Sequence, residues 1–213
     1  MKLITTDTLD EAIALLAEAF IANKSVQWFL KDNKMSEPRL KAFCRYCIVM
    51  AMYDQGAYFS DDGNGVVLFN YHTGKKKSSL VRLLTTLRFV AFGCGIRRIP
   101  MIRRRQLALQ QAREKEPHIY ISLIASNLKG GNATIIELKQ TVFDLSEKSG
   151  LPIFAETTLL LNLRVYQRYG FTCYDTHALE KSDVKIWMLR RAPKSRTPPT
   201  TTIANTVESA NRK

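Results

Sequence analysis

The chain has 213 residues, 46% of them apolar, a net charge of +13 and a pI near 9.7. That apolar content can bury one good core, so we predict a single domain. The sequence has no run of about 18 apolar residues and no secretory leader pattern at its N-terminus, which predicts a cytoplasmic protein without a transmembrane segment. The positive charge favours an anionic partner, which could be a nucleic acid, an acidic lipid surface or the phosphates of a cofactor.

The first third of the chain is predicted to form a strand, two helices and an antiparallel hairpin. Thr8-x-x-Glu11 is a possible capping box for the first helix, whose apolar residues follow the 3.6 period. The sequence Asp61-Asp62-Gly63-Asn64-Gly65 is a strong turn signal between two apolar runs. The predicted bounds are residues 2–5 for the first strand, about 37–53 for the second helix, and 55–60 and 65–71 for the hairpin strands.

A basic segment follows, which we define as residues 73–116 and call the basic insert. Between Lys75 and Arg105 it contains ten Lys or Arg residues and no acid. Leucines at 80, 83, 84 and 87 predict an amphipathic helix, broken at Gly93-Cys94-Gly95, and Pro100 permits a second helix. Four interpretations stay open: two Arg-rich helices packed by their leucine face on the sheet, a lid over an acceptor, a membrane-surface patch, or a nucleic-acid patch.

The four cysteines are too scattered to form a disulfide framework in a chain of this size, so reduced thiols are expected. Cys44-Arg45-Tyr46-Cys47 has C-x-x-C spacing, but it lies in a helical pattern without a second cysteine pair. Two ordinary helix cysteines are favoured over a metal or redox role. The sequence predicts no metal site.

The C-terminal half begins with a strand in which Ile119, Ile121, Leu123 and Ala125 are predicted to share one face. His118 and Tyr120 belong to the opposite, more polar face. A glycine loop at 129–132, a helix at 133–148 and a short apolar strand ending at Glu156 follow. From residue 192 to 213 the composition is typical of a disordered tail.

The most specific motif is Asn162-x-x-x-Tyr166-x-x-x-Gly170-Phe171. A helix that starts near Leu160 places Asn162 and Tyr166 on one face, because they are four residues apart. Gly170 suits the left-handed conformation that follows a helix end. Two functional side chains would then point at the same ligand.

This order of elements resembles the C-terminal half of the GNAT acetyltransferase family, over about residues 117–191. The resemblance implies an α/β (α+β) fold with a mixed, mostly antiparallel sheet and helices on both faces. It further implies that the sheet is splayed between the strands at 118–125 and 151–156 to admit a cofactor. The domain would span residues 1–191, including the basic insert.

The resemblance implies acetyl-CoA as the cofactor. A glycine turn at a helix N-terminus suits phosphate binding, although Gly130-Gly131 alone would be an ordinary turn. The family's Q/R-x-x-G-x-G/A pattern is degenerate here. The residues implied in cofactor binding are Lys129, Gly130, Gly131, Asn132, Ala133 and Thr134 at the pyrophosphate, Leu123, Ile124 and Ala125 along the pantetheine arm, and Asn162.

The same resemblance implies that Tyr166 protonates the departing thiolate, against the alternative that its ring only packs under the sheet. Glu156 is our first choice for the general base and His118 the second, and a purely structural Glu156 is the alternative. We therefore predict an N-acetyltransferase in which a primary amine of a small molecule or peptide attacks acetyl-CoA directly. The alternative is a non-catalytic binding protein on the same scaffold, which docks on nucleic acid or an anionic surface through the basic insert.

Overall fold

The computed structural model describes residues 1–72, 80–113, 116–127, 129–178 and 184–194. The predicted disordered tail lies outside the described residues beyond 194, as do 73–79 and 114–115 of the basic insert. The helices are α1 (Leu9–Phe20), α2 (Lys24–Phe29), α3 (Glu37–Tyr53), α4 (Leu80–Phe89), α5 (Ile99–Ala112), α6 (Gly131–Ser149) and α7 (Leu160–Arg168). The strands are β1 (Lys2–Leu3), β2 (Ala57–Phe59), β3 (Gly65–His72), β4 (His118–Ser126), β5 (Ile153–Thr157), β6 (Thr172–Ala178) and β7 (Lys185–Arg191).

The strands form one seven-stranded sheet in the order β1-β2-β3-β4-β5-β7-β6. All neighbouring strands are antiparallel except β4 and β5, which run parallel. Parallel neighbours need a long crossover, and α6 supplies it. The predicted fold class, a mixed and mostly antiparallel sheet with helices on both faces, is confirmed.

Two apolar cores lie on opposite faces of the sheet. On one face α1 and α3 pack on β2 and β3, with Leu16, Leu40 and Ile48 fully buried. On the other face α6 and α7 cover β4 and β5, with Leu138 and Ile153 fully buried. A third cluster joins α2 and α5 to β7 on the first face; it consists of Trp28, Leu109, Ile186 and Met188.

A β-bulge in β4 makes one prediction from the alternating pattern wrong. The register of β3 on β4 shifts between Leu68, which lies opposite Leu123, and Phe69, which lies opposite Ile121. Ser122 is therefore the extra residue, and it reverses the alternation of the strand. Leu123 and Ala125 pack with α1 and α3, while Ile124 packs with the α6 side that also buries Ile119 and Ile121.

Of the predictions for helix ends, those for α3 and for Gly170 are confirmed and the one for Thr8 is wrong. The predicted bounds of α3 are confirmed, and Gly170 after α7 adopts φ +85°. The capping box at Thr8 is wrong, because the Thr8 hydroxyl makes no cap hydrogen bond to α1. It accepts instead from the backbone N–H of Thr5 at 3.0 Å, which forms a local turn. Within the described residues, every helix is too short or too polar to cross a bilayer.

Candidate functional site

The sheet opens between its two parallel strands. β4 and β5 pair at only three positions, the last of which joins Ile121 to Ala155. Beyond that point β4 continues to Ser126 on β3, and β5 continues to Thr157 on β7. Within the described residues, the facing edges of 122–126 and 156–157 do not pair with each other. The backbone groups along these two edges therefore have no strand partner on that side, and we call the space between them the gap.

The N-terminus of α6 lies just beyond the end of β4. The side-chain oxygen of Asn127 accepts the backbone N–H groups of Lys129 and Gly130, both at 3.0 Å. In the part of the chain that the structure describes, the N–H groups of Asn132 and Ala133 have no hydrogen-bond partner. Gly131 has φ +57°, and a Cβ there would meet no atom within 4 Å. A helix N-terminus presents backbone N–H groups and the positive end of a dipole, and both attract an anion.

The β2–β3 turn holds this helix end in place. Asp62 accepts the Thr134 hydroxyl at 2.8 Å, and its other oxygen accepts the Ser60 hydroxyl at 2.5 Å and the Asn64 N–H at 2.9 Å. These bonds, that from Ser60 first, hold the pKa of the Asp62 carboxyl well below its usual range. The Thr134 hydroxyl is thus committed to the turn, and its structural role is to fix α6 relative to the hairpin.

Tyr166 lies on α7, on the same face of the sheet as α6. Its ring packs edge-on against Phe171, with the ring centroids 5.0 Å apart, in the cluster that includes Ile124 and Ala155 at the gap. Its hydroxyl forms no hydrogen bond to the residues that the structure describes. Burial raises the pKa of Tyr166 to about 12, so the hydroxyl keeps its proton at neutral pH. Asn162, one turn earlier on α7, is exposed.

Glu156 lies on the opposite face, one residue beyond the last β4–β5 pair. Its carboxylate forms ion pairs with Arg105, at 3.1 Å, and with Arg113. The three side chains are only 9%, 16% and 11% exposed, respectively. The Arg113 guanidinium also lies 4.1 Å from the ring centroid of Tyr120, whose pKa is raised by burial and by the nearby Glu156 charge. The basic insert therefore reaches the gap through two arginines.

Sequence reasoning did not find these two arginines. The signal that could have found them is the lack of acidic residues between Lys75 and Arg113, because an arginine buried in a folded domain needs a carboxylate from elsewhere. Glu156 was the acid already predicted to end a strand next to the site.

His118 is placed away from the gap. It is the first residue of β4, about 10 Å along the strand from Ile121, where the pairing ends. Its ring stacks on His72 with centroids 4.8 Å apart, and its Nδ1 lies 2.8 Å from the carbonyl oxygen of Glu116. Its buried Nε2 has no partner in the described residues. Burial lowers the pKa of His118, so the ring is neutral at pH 7.

The cysteine pair shows no sign of metal or redox chemistry. Cys44 is buried and Cys47 half-buried on α3, and both are free thiols. Burial raises the pKa of both thiols, that of Cys44 to about 12, which disfavours the reactive thiolate. Among the described side chains, no group of three or more His, Cys, Asp or Glu residues could hold a metal ion.

Comparison with solved structures places this arrangement in a known fold. A Corynebacterium glutamicum protein described as histone acetyltransferase HPA2 and related acetyltransferase superposes with a TM-score of 0.63 at 17% identity, covering 92% of this chain and 96% of that one. Polyamine N-acetyltransferase of Drosophila melanogaster gives 0.61 at 12%, with 90% and 98% covered. Arylalkylamine N-acetyltransferase 2 of Aedes aegypti gives 0.58 at 14%, with 90% and 97% covered.

The fold is GNAT-like. No family model and no curated protein sequence matches the chain. At these identities the structural likeness establishes the architecture alone.

We predict that Glu156→Gln destabilises the protein by about 3 kcal/mol, because it removes the counter-charge of two nearly buried arginines. The matched control is Glu116→Gln, since Glu116 pairs with Arg190 at 2.7 Å where the side chains are 38% and 30% exposed. That control should cost at most about 1 kcal/mol. Urea unfolding of the three proteins measures both values, and equal losses would contradict a buried cluster at Glu156.

We also predict that stability falls as the pH drops from 7 to 5, in part because of His118. The unfolded imidazole binds a proton below about pH 6.5, whereas the native ring, with its lowered pKa, resists protonation. The unfolded state therefore takes up more protons, and acid favours it. His118→Phe keeps a ring against Phe154 and should show a shallower loss in thermal unfolding. Identical slopes in both proteins would exclude His118 as the source.

Proposed function

We propose that this protein transfers an acetyl group from acetyl-CoA to a primary amine by direct attack. The observation that carries the proposal is the gap between β4 and β5, with the open N-terminus of α6 at its end and Tyr166 beside it. Among the proteins of similar structure, the Drosophila enzyme is described as forming N-acetylagmatine. An amine acceptor is therefore the first choice for this chain too.

The residues around the gap fit acetyl-CoA. The N–H groups of Asn132 and Ala133, with the open approach at Gly131, would hold the pyrophosphate, and the exposed Lys129 adds positive charge. The N–H groups of Lys129 and Gly130 are held by Asn127, so these two residues shape the loop. The unpaired edge at Leu123, Ile124 and Ala125 would pair with the pantetheine amides, and Asn162 would contact the cofactor from α7.

Bound acetyl-CoA would supply an activated thioester, so the chain needs no acyl-enzyme and mainly positions reactants and moves protons. Tyr166 is suited to donate a proton from its Oη to the departing thiolate. Its raised pKa keeps that proton in place, and its hydroxyl has no competing partner among the described residues. Its ring packs edge-on against Phe171, and this contact restricts the rotation of the side chain.

The acceptor would enter from the opposite face, where Glu156 lies. An amine with a pKa near 10.4 is almost entirely protonated at pH 7.4, and its deprotonation costs about 4 kcal/mol. We propose that Glu156 accepts this proton, while Arg105 and Arg113 fix the carboxylate at the edge of the gap. For His118 we propose no direct proton transfer, because it lies about 10 Å along β4 from the opening.

No contact among the described residues favours the alternative of a non-catalytic protein that binds nucleic acid. Two arginines of the insert, Arg105 and Arg113, are turned inward onto Glu156 rather than outward onto a phosphate backbone. The cytoplasmic location stays a prediction from the sequence.

We predict that Gly131→Ala weakens acetyl-CoA binding at least about tenfold, because its Cβ would obstruct approach to the helix N-terminus. Gly150→Ala is the matched control, since Gly150 ends the same helix with φ +68° and equal open space. Both changes should cost similar stability, about 1–2 kcal/mol, because alanine is strained at positive φ. Calorimetry with acetyl-CoA should separate them, and equal affinities in both variants would remove the α6 N-terminus from the site.

We predict that Tyr166→Phe lowers kcat by about 10²- to 10⁴-fold and leaves the Kd for acetyl-CoA nearly unchanged, because it removes only the proton donor. Tyr169→Phe is the control at the C-terminal end of the same helix, where the Tyr169 ring packs against Phe143 and Lys139. Release of free CoA thiol with a panel of amines measures turnover. Equal rates in the Tyr166→Phe and wild-type proteins would exclude the acid role, and binding of acetyl-CoA without turnover of any amine would favour the non-catalytic alternative.

A further inference from the structure

Helix α4 turns its leucines toward solvent. Leu80, Leu83, Leu84 and Leu87 are 71%, 56%, 55% and 54% exposed, although their spacing is that of a core-facing stripe. The core side of α4 is instead formed by Phe89, whose ring stacks on Tyr46 with the centroids 4.9 Å apart. The interpretation that the leucine face packs on the sheet is therefore wrong.

The apolar surface continues past the end of α4. Residues Val90–Cys94 form a π-turn, in which Phe92 is 69% exposed, and Ile96–Arg98 form a 3₁₀ turn, in which Ile96 is 76% exposed. Single exposed apolar residues are ordinary on proteins, but a continuous set of six large ones within 17 residues indicates an interaction surface. We call Leu80, Leu83, Leu84, Leu87, Phe92 and Ile96 the apolar stripe.

The sequence around this stripe is rich in positive charge. Residues 80–113 contain eight arginines and no acidic residue. Of these arginines, Arg88, Arg97, Arg103 and Arg104 are exposed. An apolar stripe flanked by arginines is the pattern of helices that lie in the interface of an anionic bilayer.

An apolar cleft opens beside the stripe. It lies between α1, α3 and α4, has a volume of about 520 Å³, and is lined by side chains that include Leu9, Val49, Met52 and Phe89. Leu84 belongs both to the lining of this cleft and to the exposed stripe. The cleft is therefore continuous with the stripe, and Arg45 and Arg88 contribute to its wall. Apolar space beside cationic groups suits an acyl chain whose headgroup is anionic.

We propose that the apolar stripe binds the surface of an anionic lipid bilayer, with the leucines among the acyl chains and the exposed arginines at the lipid phosphates. A helix of ten residues is about 15 Å long, half the thickness of the hydrocarbon core, so α4 lies along the surface. A second copy of the chain is disfavoured, because a symmetric contact through this surface would oppose two sets of arginines. The proposal is independent of acetyl transfer.

Flotation of the full-length chain with vesicles tests the proposal. We expect binding to vesicles of phosphatidylcholine with 30% phosphatidylglycerol, and little binding to phosphatidylcholine alone, on the order of tenfold less. Leu83→Ser/Leu87→Ser should lower binding to the anionic vesicles by about tenfold or more, since both apolar side chains are withdrawn from the acyl region. Arg97→Gln/Arg103→Gln should weaken binding and reduce its sensitivity to salt.

The matched control is Leu159→Ser/Leu161→Ser, which removes two leucines that are 52% and 72% exposed at the N-terminal end of α7, on the other face of the sheet. It should bind vesicles like the wild-type protein, and circular dichroism should show that all variants are folded. Equal binding of the wild-type and the Leu83→Ser/Leu87→Ser proteins would overturn the proposal. The alternative is a second copy of the chain on the stripe. It would be shown by a wild-type protein that does not bind vesicles and is a dimer in sedimentation velocity, if only the Leu83→Ser/Leu87→Ser variant is a monomer.

Discussion

The parallel pairing of β4 with β5 ends after three residue pairs, and the arrangement of the site depends on that early end. Each strand keeps its outer partner, β3 for β4 and β7 for β5, so both halves of the sheet stay hydrogen-bonded on either side of the unpaired segment. The bulge at Ser122 comes directly after the last β4–β5 pair, and it reverses which face of the sheet each following side chain of β4 occupies. A sheet that paired throughout would bury these backbone groups and leave no approach from α6.

The two faces of the gap have different chemistry because different parts of the chain cover them. On the α6 and α7 side an apolar cluster surrounds a protonated tyrosine and an open helix N-terminus. On the other side, the basic insert brings two arginines to one carboxylate: Arg105 from α5 and Arg113 from the position directly after it. Burying three charges together costs much desolvation energy, which ion pairing and the stacking of Arg113 on Tyr120 offset only with good geometry. Such a cluster fixes α5 in one position over the gap.

Sequence patterns predicted those features that depend only on residues close together in the chain. The bounds of α3 and the left-handed Gly170 follow from helix periodicity and from glycine's freedom at positive φ. The bulge in β4 could not be predicted, because it exists only in the register with β3. The period of the leucines in α4 showed that the helix is amphipathic, but periodicity does not show what covers the apolar side. The hydrogen bonds from Lys129 and Gly130 to the Asn127 side chain could not be predicted either, because they depend on the folded shape of the loop. They give Lys129 and Gly130 a part in shaping the loop in place of the predicted backbone contact with the pyrophosphate.

The β2–β3 turn has a consequence for protein engineering. Exposed hairpin tips of small polar residues normally accept inserted peptides, because their backbone makes few contacts. Here the tip is bound to α6: Asp62 accepts from Thr134, the Asp61 N–H donates to Glu137 at 2.9 Å, and Asn64 accepts from Asn127 at 3.2 Å. An epitope tag or fluorescent domain inserted between residues 61 and 64 would therefore displace the α6 loop, about 70 residues away in sequence, whereas a hairpin tip is usually the safest place for a label.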